Sequence, residues 1–390
     1  MSESPQALNA AGMQRLTAGD AAGAAALFAR AAALDPAAGV LWLNLANAQR
    51  QSGDEAGEAA SLARVLAIDA RDLTGLIRSA ELHERHGDLA KAMIAWSGVL
   101  AVAPPIAETT PPLSDVLTHA GAFVTTRNAD FAATIDAALA PAIAAVAPAA
   151  RRRFDAAVGV ATGRRQVFVN ECAGMHFPFL PADEFFAREQ FPWMNALEAH
   201  APAIRTEVEA LLGRGDAIEP YVAMEPGAPP NKWTPLDRSL DWGCYYLWQY
   251  GRPIDAALAA CPATAAALAE VPKAELPGRA PTAFFSILKP RTRIPPHTGV
   301  SNTRTIVHLP LIVPPGCGFR VGGETREWVE GQAFAFDDTI EHEAWNDSDE
   351  VRVVLILDVW NPYLTADERA LVQEFYRAAD ASGHKPEVRD

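Results

Sequence analysis

Apolar residues recur at helical spacing through the first hundred residues, in runs separated by short polar turns. The dipeptide Gly-Asp stands at positions 19–20, 53–54 and 87–88, so the same turn returns every 34 residues. The segments AALFARAAALDP, ASLARVLAIDA and AMIAWSGVLAVAP follow these turns and end alike, on an apolar residue and a new turn. Glycine ends a helix and aspartate caps the next one, so the pattern predicts three helical hairpins over residues 4–104.

A helix-turn-helix unit of this length is typical of the tetratricopeptide repeat. Coincidental spacing in an Ala-rich bundle is the alternative, and three matched registers argue against it. Stacked repeats form a solenoid with a concave groove, so we expect residues 4–104 to bind a protein partner or peptide. His83 and His86, in the third repeat, are expected to face solvent. After the Pro-rich break PPIAETTPP, helical spacing returns, which predicts a helical linker or capping region at 105–164.

The pattern changes again near residue 165, where aromatic residues, Gly and Pro become frequent. One helix is predicted near 193–213, and strands are predicted at 282–290, 303–313, 318–321, 326–336 and 350–360. Short strands with Gly, Pro and Asp turns indicate a double-stranded β-helix (jelly roll) with flanking helices over 165–375. TADE from Thr365 is a capping box that starts a last helix, and 376–390 is expected to be a polar tail. The predicted fold class is therefore multidomain α plus β.

Three side chains in this β region are candidate functional residues. Arg352 shares a strand face with Val354 and Ile356, so it points into or near an interior and needs an anionic partner, either an acidic residue or a ligand carboxylate. His297 stands before a strand and His342 in a turn, positions from which two histidines could meet at one mouth of the sandwich. Ordinary surface histidines are the alternative.

The motif around His297 raises a question about metal binding. Non-haem iron sites use two histidines and one carboxylate, often written His-x-Asp, and here the carboxylate position is Gly299. The residues alone leave open an incomplete metal site, no metal site, or a site with two protein ligands. The acidic residues beside the second histidine (Asp337, Asp338, Glu341 and Glu343) are expected to stabilise a turn, with Asp338 also placed to orient an imidazole.

Composition narrows the choice of partner. The 390 residues include 49% hydrophobic and 21% charged ones, which suits a soluble globular protein, and the net charge of -15 argues against nucleic acid or an anionic membrane as partner. We see no signal peptide and no uninterrupted apolar stretch that would span a membrane. The four scattered cysteines are expected to be reduced and structural, which favours a cytoplasmic location.

The C-terminal part also resembles a known family. The segments PPHTGVSNTRTIVHLPL, GCGFRVGGETREWVEGQAFAFDDTIEHEAWNDS and RVVLILDVWNP, with FPFLPADEFF and DWGCYYLWQYGR upstream, are similar to aspartyl/asparaginyl β-hydroxylases. These are Fe(II)- and 2-oxoglutarate-dependent oxygenases, and the resemblance covers about residues 175–370. Animal members also combine this domain with tetratricopeptide repeats.

The resemblance implies a cofactor set and a role for each residue. The family binds iron through two histidines and leaves the third position to water, so Gly299 fits its pattern. His297 and His342 correspond to the iron ligands and Arg352 to the residue that pairs with the distal carboxylate of 2-oxoglutarate. Ser286 corresponds to a hydrogen-bond donor to that carboxylate, and His308 to a residue near the other end of the cosubstrate. Fe(II), 2-oxoglutarate and O2 are the implied cofactors.

One departure concerns the substrate. Two positions before His308 the animal enzymes carry an arginine that holds carboxylates, and this chain has Ile306 there. Arg304 is one candidate substrate contact, and Trp242 stands where the family lines its pocket. Lys232, Arg238 and Arg252 are further cations that could replace the missing charge.

The sequence therefore predicts a dioxygenase that hydroxylates an amino-acid side chain, of Asp or Asn type, in a polypeptide bound by the repeats. One alternative with the same chemistry is a small-molecule substrate, such as a free or carrier-bound amino acid or a lipid acyl chain. The other is a non-catalytic repeat protein with a relic oxygenase domain.

Overall fold

The computed structural model describes residues 4–105, 108–214, 218–276 and 278–383, so the last seven residues of the predicted polar tail lie outside it. The chain divides into two compact units, Met1–Arg164 and Arg165–Asp390. Among the described residues, no helix is both long enough and apolar enough to cross a lipid bilayer.

Unit 1 is helical throughout, and consecutive helices pack on each other. Its helices are α1 (Pro5–Thr17), α2 (Ala21–Leu34), α3 (Gly39–Ser52), α4 (Glu55–Ile68), α5 (Leu73–Arg85), α6 (Leu89–Val102), α7 (Pro111–Ala144) and α8 (Pro148–Ala161). The first six form the three hairpins that the 34-residue period predicts. Within the predicted capping region, Leu117 and Ala120 of α7 pack against Trp96 and Val99 of α6.

The repeated Gly-Asp pairs form the turns inside the three hairpins. Each glycine has a positive φ (+83, +77 and +70° at Gly19, Gly53 and Gly87), a conformation that residues with a Cβ avoid. Each following aspartate accepts a hydrogen bond from the backbone N–H three residues on, through Asp20, Asp54 and Asp88. The predicted repeat architecture is confirmed. His86 is exposed as expected, whereas His83 is half-buried.

Unit 2 contains two antiparallel sheets with helices beside them. Its helices are α9 (Met194–Ala199), α10 (Ala201–Arg214), α11 (Asp255–Ala260), α12 (Pro262–Glu270) and α13 (Ala366–Ala381). Its strands are β1 (Glu219–Pro220), β2 (Trp242–Gln249), β3 (Arg252–Pro253), β4 (Ala283–Leu288), β5 (Thr292–His297), β6 (Arg304–Ile312), β7 (Cys317–Val321), β8 (Glu324–Arg326), β9 (Phe334–Phe336), β10 (His342–Asn346) and β11 (Arg352–Trp360). The main sheet has the order β1-β2-β4-β11-β6-β9, and the small sheet has the order β5-β10-β7-β8.

Two apolar cores flank the main sheet. One lies between the sheet and α9, α10 and α12, and it includes Leu355 and Leu357 of β11 together with Ile204 and Leu268. The other lies between the two sheets and includes Leu288, Phe319, Phe336 and Val354. Neighbouring residues of β11 therefore point into different cores, as the apolar character of both strand faces predicts.

Four details of the sequence prediction are wrong. The predicted strand 326–336 is not continuous, because the chain crosses here from the small sheet, where β8 ends at Arg326, to the main sheet, where β9 begins at Phe334. The helix at 193–213 is two helices, since Pro202 lacks the N–H needed to continue the first. His342 lies in β10 rather than in a turn. His297 precedes β6 as predicted, and it also ends β5, a strand that was not predicted. The last helix continues past 376 to Ala381.

Candidate active site

The two histidines lie side by side on neighbouring strands, so they do meet at one mouth of the sandwich as expected. His297 ends β5 and His342 begins the neighbouring β10, where the two residues are register partners. Their ring centroids are 4.0 Å apart. Sequence reasoning missed β5 because Pro295 and Pro296 suggested a break, but an edge strand accepts proline on its unpaired side.

Both imidazoles have the tautomer that a metal ligand needs. Nδ1 of His297 donates to the Pro295 carbonyl at 2.8 Å, and Nδ1 of His342 donates to the Ile340 carbonyl at 3.0 Å. These bonds leave Nε2 of each ring with a free lone pair. Burial lowers the pKa of His297 to about 4 and holds that of His342 well below its usual value, so both rings stay neutral at physiological pH.

Gly299 and Asp338 explain the missing carboxylate of the His-x-Asp motif. A Cβ added to Gly299 would lie 2.0 Å from Oδ2 of Asp338, so the carboxylate of another segment already fills that space. The Gly299 N–H donates to the Asp338 backbone carbonyl at 2.6 Å and holds the two loops together. Across the described residues, no third His, Cys, Asp or Glu joins the histidine pair as a ligand set. The donor set fits a metal held by two histidines, with its other positions open to small ligands.

Arg352 lies on the face of the main sheet that lines the space between the two sheets, and its positive charge is buried. It is 1% exposed, and its Nη1 reaches the Ser286 hydroxyl at 3.3 Å and the Ser286 carbonyl at 3.4 Å. Its Nε has no hydrogen-bond partner, and its guanidinium lies 4.8 Å from the Trp328 ring centroid. No Asp or Glu of the described chain pairs with it, and burial lowers the pKa of Arg352 to about 10. A buried guanidinium in this state calls for an anionic ligand.

Ser286 and His308 lie beside that guanidinium. The Ser286 hydroxyl also accepts a hydrogen bond from Nε1 of Trp242 at 3.1 Å, which fixes both side chains. His308 is 5% exposed, its Nδ1 has no partner, and burial together with the charge of Arg352 keeps its pKa well below the usual range. A neutral imidazole with an unsatisfied nitrogen next to the arginine suits a hydrogen bond to a bound ligand.

These side chains line one cavity of about 330 Å³ between the sheets. The predicted residues that reach it are His297, His342, Arg352, Ser286, His308, Arg304, Trp242 and Lys232, with Ile306 beside them. Arg238 does not reach it: it is exposed and donates to the Met224 carbonyl at 3.0 Å. Arg252 is exposed in β3, away from the cavity. Among the acidic residues near His342, Asp337 accepts from Asn170 and Thr339, which supports the predicted turn role.

Asp358 is the main site residue that sequence reasoning missed. It accepts a hydrogen bond from Nη1 of Arg304 at 2.7 Å, in an ion pair whose side chains are 11% and 6% exposed. The sequence could have indicated this residue, because side chains alternate along a strand and Asp358 therefore points to the same face of β11 as Arg352. Aromatic side chains at the outer end, Tyr246, Tyr250 and Phe284 among them, were also missed.

Known proteins are similar to parts of this chain, and the similarity includes the residues of the cavity. Residues 198–362 match the family model described as aspartyl/asparaginyl beta-hydroxylase, and the match contains every cavity residue named above. The matched residues all lie in unit 2, which is thus similar to this family over most of its length. The mouse aspartyl/asparaginyl beta-hydroxylase is 42% identical over 141 residues, which is 35% of this chain and 19% of the relative. The Rhizobium tropici ornithine lipid ester-linked acyl 2-hydroxylase is 34% identical over 175 residues, 44% of this chain and 58% of the relative.

The chain thus spans about a fifth of the mouse relative and somewhat over half of the rhizobial one. Both of these relatives, which are similar to unit 2, are named hydroxylases. For the helical part, one similar solved structure is the first TPR of Spaghetti (RPAP3) bound to an HSP90 peptide, with a TM-score of 0.28, 16% identity, and coverage of 31% of this chain and 95% of that one. The repeat assignment rests on the helices and turns of unit 1 themselves.

Proposed function

We propose that unit 2 is an Fe(II)- and 2-oxoglutarate-dependent hydroxylase. His297 and His342 would hold the metal through Nε2, and Arg352 with Ser286 would bind the distal carboxylate of 2-oxoglutarate. With O2, this cofactor set supplies the oxidation of a substrate C–H bond coupled to decarboxylation of 2-oxoglutarate to succinate. The cavity positions the reactants and excludes bulk water, and His308 donates or accepts a hydrogen bond beside the cosubstrate.

The observation that carries the proposal is the state of Arg352. A guanidinium that is buried, has no acidic partner in the described chain and faces a cavity would destabilise the protein if the cavity had no anion to receive. A dicarboxylate that reaches from this arginine toward the paired histidines satisfies it. The same arrangement argues against a relic domain, because an apolar residue at 352 would stabilise the fold equally well or better.

For the substrate we propose a side chain of a polypeptide, held by the tetratricopeptide repeats of unit 1, as the combination of the two units in one chain suggests. An Asp- or Asn-type side chain follows from the family name. A second candidate is the acyl chain of a lipid, favoured by the rhizobial relative that acts on an ornithine lipid and by the apolar side chains at the outer end of the cavity.

An anaerobic titration of the Fe(II)-loaded full-length protein with 2-oxoglutarate tests the cofactor proposal. We expect a visible metal-to-ligand charge-transfer band in the wild type that is absent from His342→Ala and Arg352→Ala. Circular dichroism shows whether the variants remain folded. No band in a folded, iron-loaded wild type would overturn the proposal and leave the repeats as the functional part.

A further inference from the structure

The outer part of the cavity contains charged side chains of both signs in equal number. Its cations are Lys232 and Arg304, and its anions are Asp338 and Asp358, so their sum is two positive against two negative charges. Arg352, deeper in the cavity, is set aside because the proposed function assigns it to the cosubstrate. The proposed function likewise assigns His297 and His342 to the metal. These four side chains therefore offer no net positive charge to an anionic substrate.

The positive charge of Arg304 is neutralised by Asp358 on the neighbouring strand of the main sheet. Arg304 lies on β6 and Asp358 on the neighbouring β11, where Asp358 is the register partner of Ile306. The ion pair measures 2.7 Å, and Asp358 also accepts from the Thr282 N–H at 3.2 Å. A substrate carboxylate would have to separate this largely buried pair or share the guanidinium with Asp358, and both arrangements are unfavourable in a desolvated site.

Lys232 does not supply an uncompensated inner charge either. It is exposed, its Nζ donates to the Pro296 carbonyl at 2.7 Å, and it lies 5.5 Å from the Trp233 ring centroid. Between these charges the wall is apolar or aromatic, formed by residues such as Ile306, Ile356, Tyr246 and Phe284. Such a wall favours a group that carries no charge.

We infer that the substrate group entering this cavity is uncharged, an amide or aliphatic side chain, and that a carboxylate is excluded by the Arg304–Asp358 pair together with Ile306. The inference rests on the proposed function and names its substrate class. Ile306 is thereby a specificity-determining residue, since an added cation at that position would change the sum from zero to one positive charge.

The test uses isosteric probes on the full-length protein loaded with redox-inert Zn(II) and saturating 2-oxoglutarate. N-acetyl-asparagine amide and N-acetyl-aspartate amide differ only in charge, and N-acetyl-leucine amide adds an aliphatic side chain. We expect ligand-observed NMR to show that wild type binds at least one neutral probe at least about tenfold more tightly than the aspartate probe. Equal or tighter binding of the aspartate probe, or no binding of either neutral probe, overturns the inference.

Variants locate the effect. Ile306→Arg is expected to shift the preference at least about tenfold toward the aspartate probe, and Ile306→Leu, its matched control, should leave the preference unchanged. Asp358→Asn should shift it in the same direction by releasing Arg304, provided that circular dichroism shows a folded protein. An unchanged preference in both charge variants overturns the assignment. If the aspartate probe binds wild type but not Arg352→Met, the probe occupies the site that we propose for 2-oxoglutarate. That result would mean that 2-oxoglutarate does not fill this site, so it would contradict the proposed function and not the inference about Arg304 and Asp358.

Discussion

The two faces of the main sheet share their strands and carry different chemistry. On β11 the odd-numbered residues Val353, Leu355, Leu357 and Val359 are buried against helices, whereas the even-numbered residues include Arg352 and Asp358. The first face is uniformly apolar and holds the unit together. The second contains charges that only a neighbouring strand or a ligand can compensate. Stability and function are thus separated by strand alternation, and adjacent residues should respond to substitution in unrelated ways.

The largest effect is expected from Arg352→Met on the cavity face. The variant removes the cation proposed to bind the cosubstrate, so 2-oxoglutarate affinity should fall by about 100-fold or more. The free energy of unfolding should stay level or rise, because an apolar side chain replaces a buried and poorly compensated charge. Isothermal titration calorimetry and thermal denaturation measure the two quantities. If Arg352→Met kept its affinity for 2-oxoglutarate and lost much of its stability, the cavity face would not have the functional role proposed for it.

Leu355→Ala on the helix-covered face should do the opposite. Removing a fully buried aliphatic side chain is expected to lower the free energy of unfolding by about 2–5 kcal/mol, measured by urea denaturation. The 2-oxoglutarate affinity of the folded protein should stay within about twofold, since the residue does not face the cavity. Leu355→Met keeps the volume and serves as control, with a cost below about 1.5 kcal/mol. A binding defect in a folded Leu355→Ala would refute the separation.

A smaller effect is expected from Gly299→Ala, which places a Cβ into the Asp338 carboxylate. The carboxylate and its loop must move, and metal affinity should fall by about 10- to 100-fold, the range seen when groups around metal ligands are disturbed. Competition with a chromophoric chelator measures this. In the double variant Gly299→Ala/Asp338→Ala the clash is absent, so its affinity should match that of Asp338→Ala alone. A further loss in the double variant would show that the contact is not the cause.

The smallest effect concerns pH and the metal-free protein. Burial lowers the pKa of His297 from 6.5 to about 4, so between these values the unfolded chain binds a proton that the folded protein excludes. The free energy of unfolding should therefore decrease as pH falls from about 6.5 toward about 4. Each kcal/mol lowers Tm by roughly 2–4 °C for a domain of this size. His297→Gln should reduce the slope, while His308 and His342, whose pKa values burial also lowers, retain the remainder. A slope of opposite sign in the wild type would contradict the burial of the pair.

The strand alternation of β11 shows how far sequence reasoning reaches. It correctly placed Arg352 on an inner face, because side-chain direction along a strand is a local property. It did not find the Arg304–Asp358 pair, although both residues lie on strands it predicted, since partner strands cannot be read from alternation. It expected His297 and His342 to meet, but it did not place them opposite each other on paired strands, because β5 was not among the predicted strands.

The sequence by itself determined the elements whose causes are local. These are the hairpin turns, set by a glycine that tolerates positive φ next to an aspartate that caps a helix, and the face on which each strand residue lies. The motifs around His297 and His342 also indicated the similarity of unit 2 to the aspartyl/asparaginyl beta-hydroxylases. Only the tertiary structure decided which side chains meet: Asp338 beside Gly299, and Asp358 against Arg304. Those contacts join residues many positions apart through sheet order, and sheet order depends on how the whole unit buries its apolar surface.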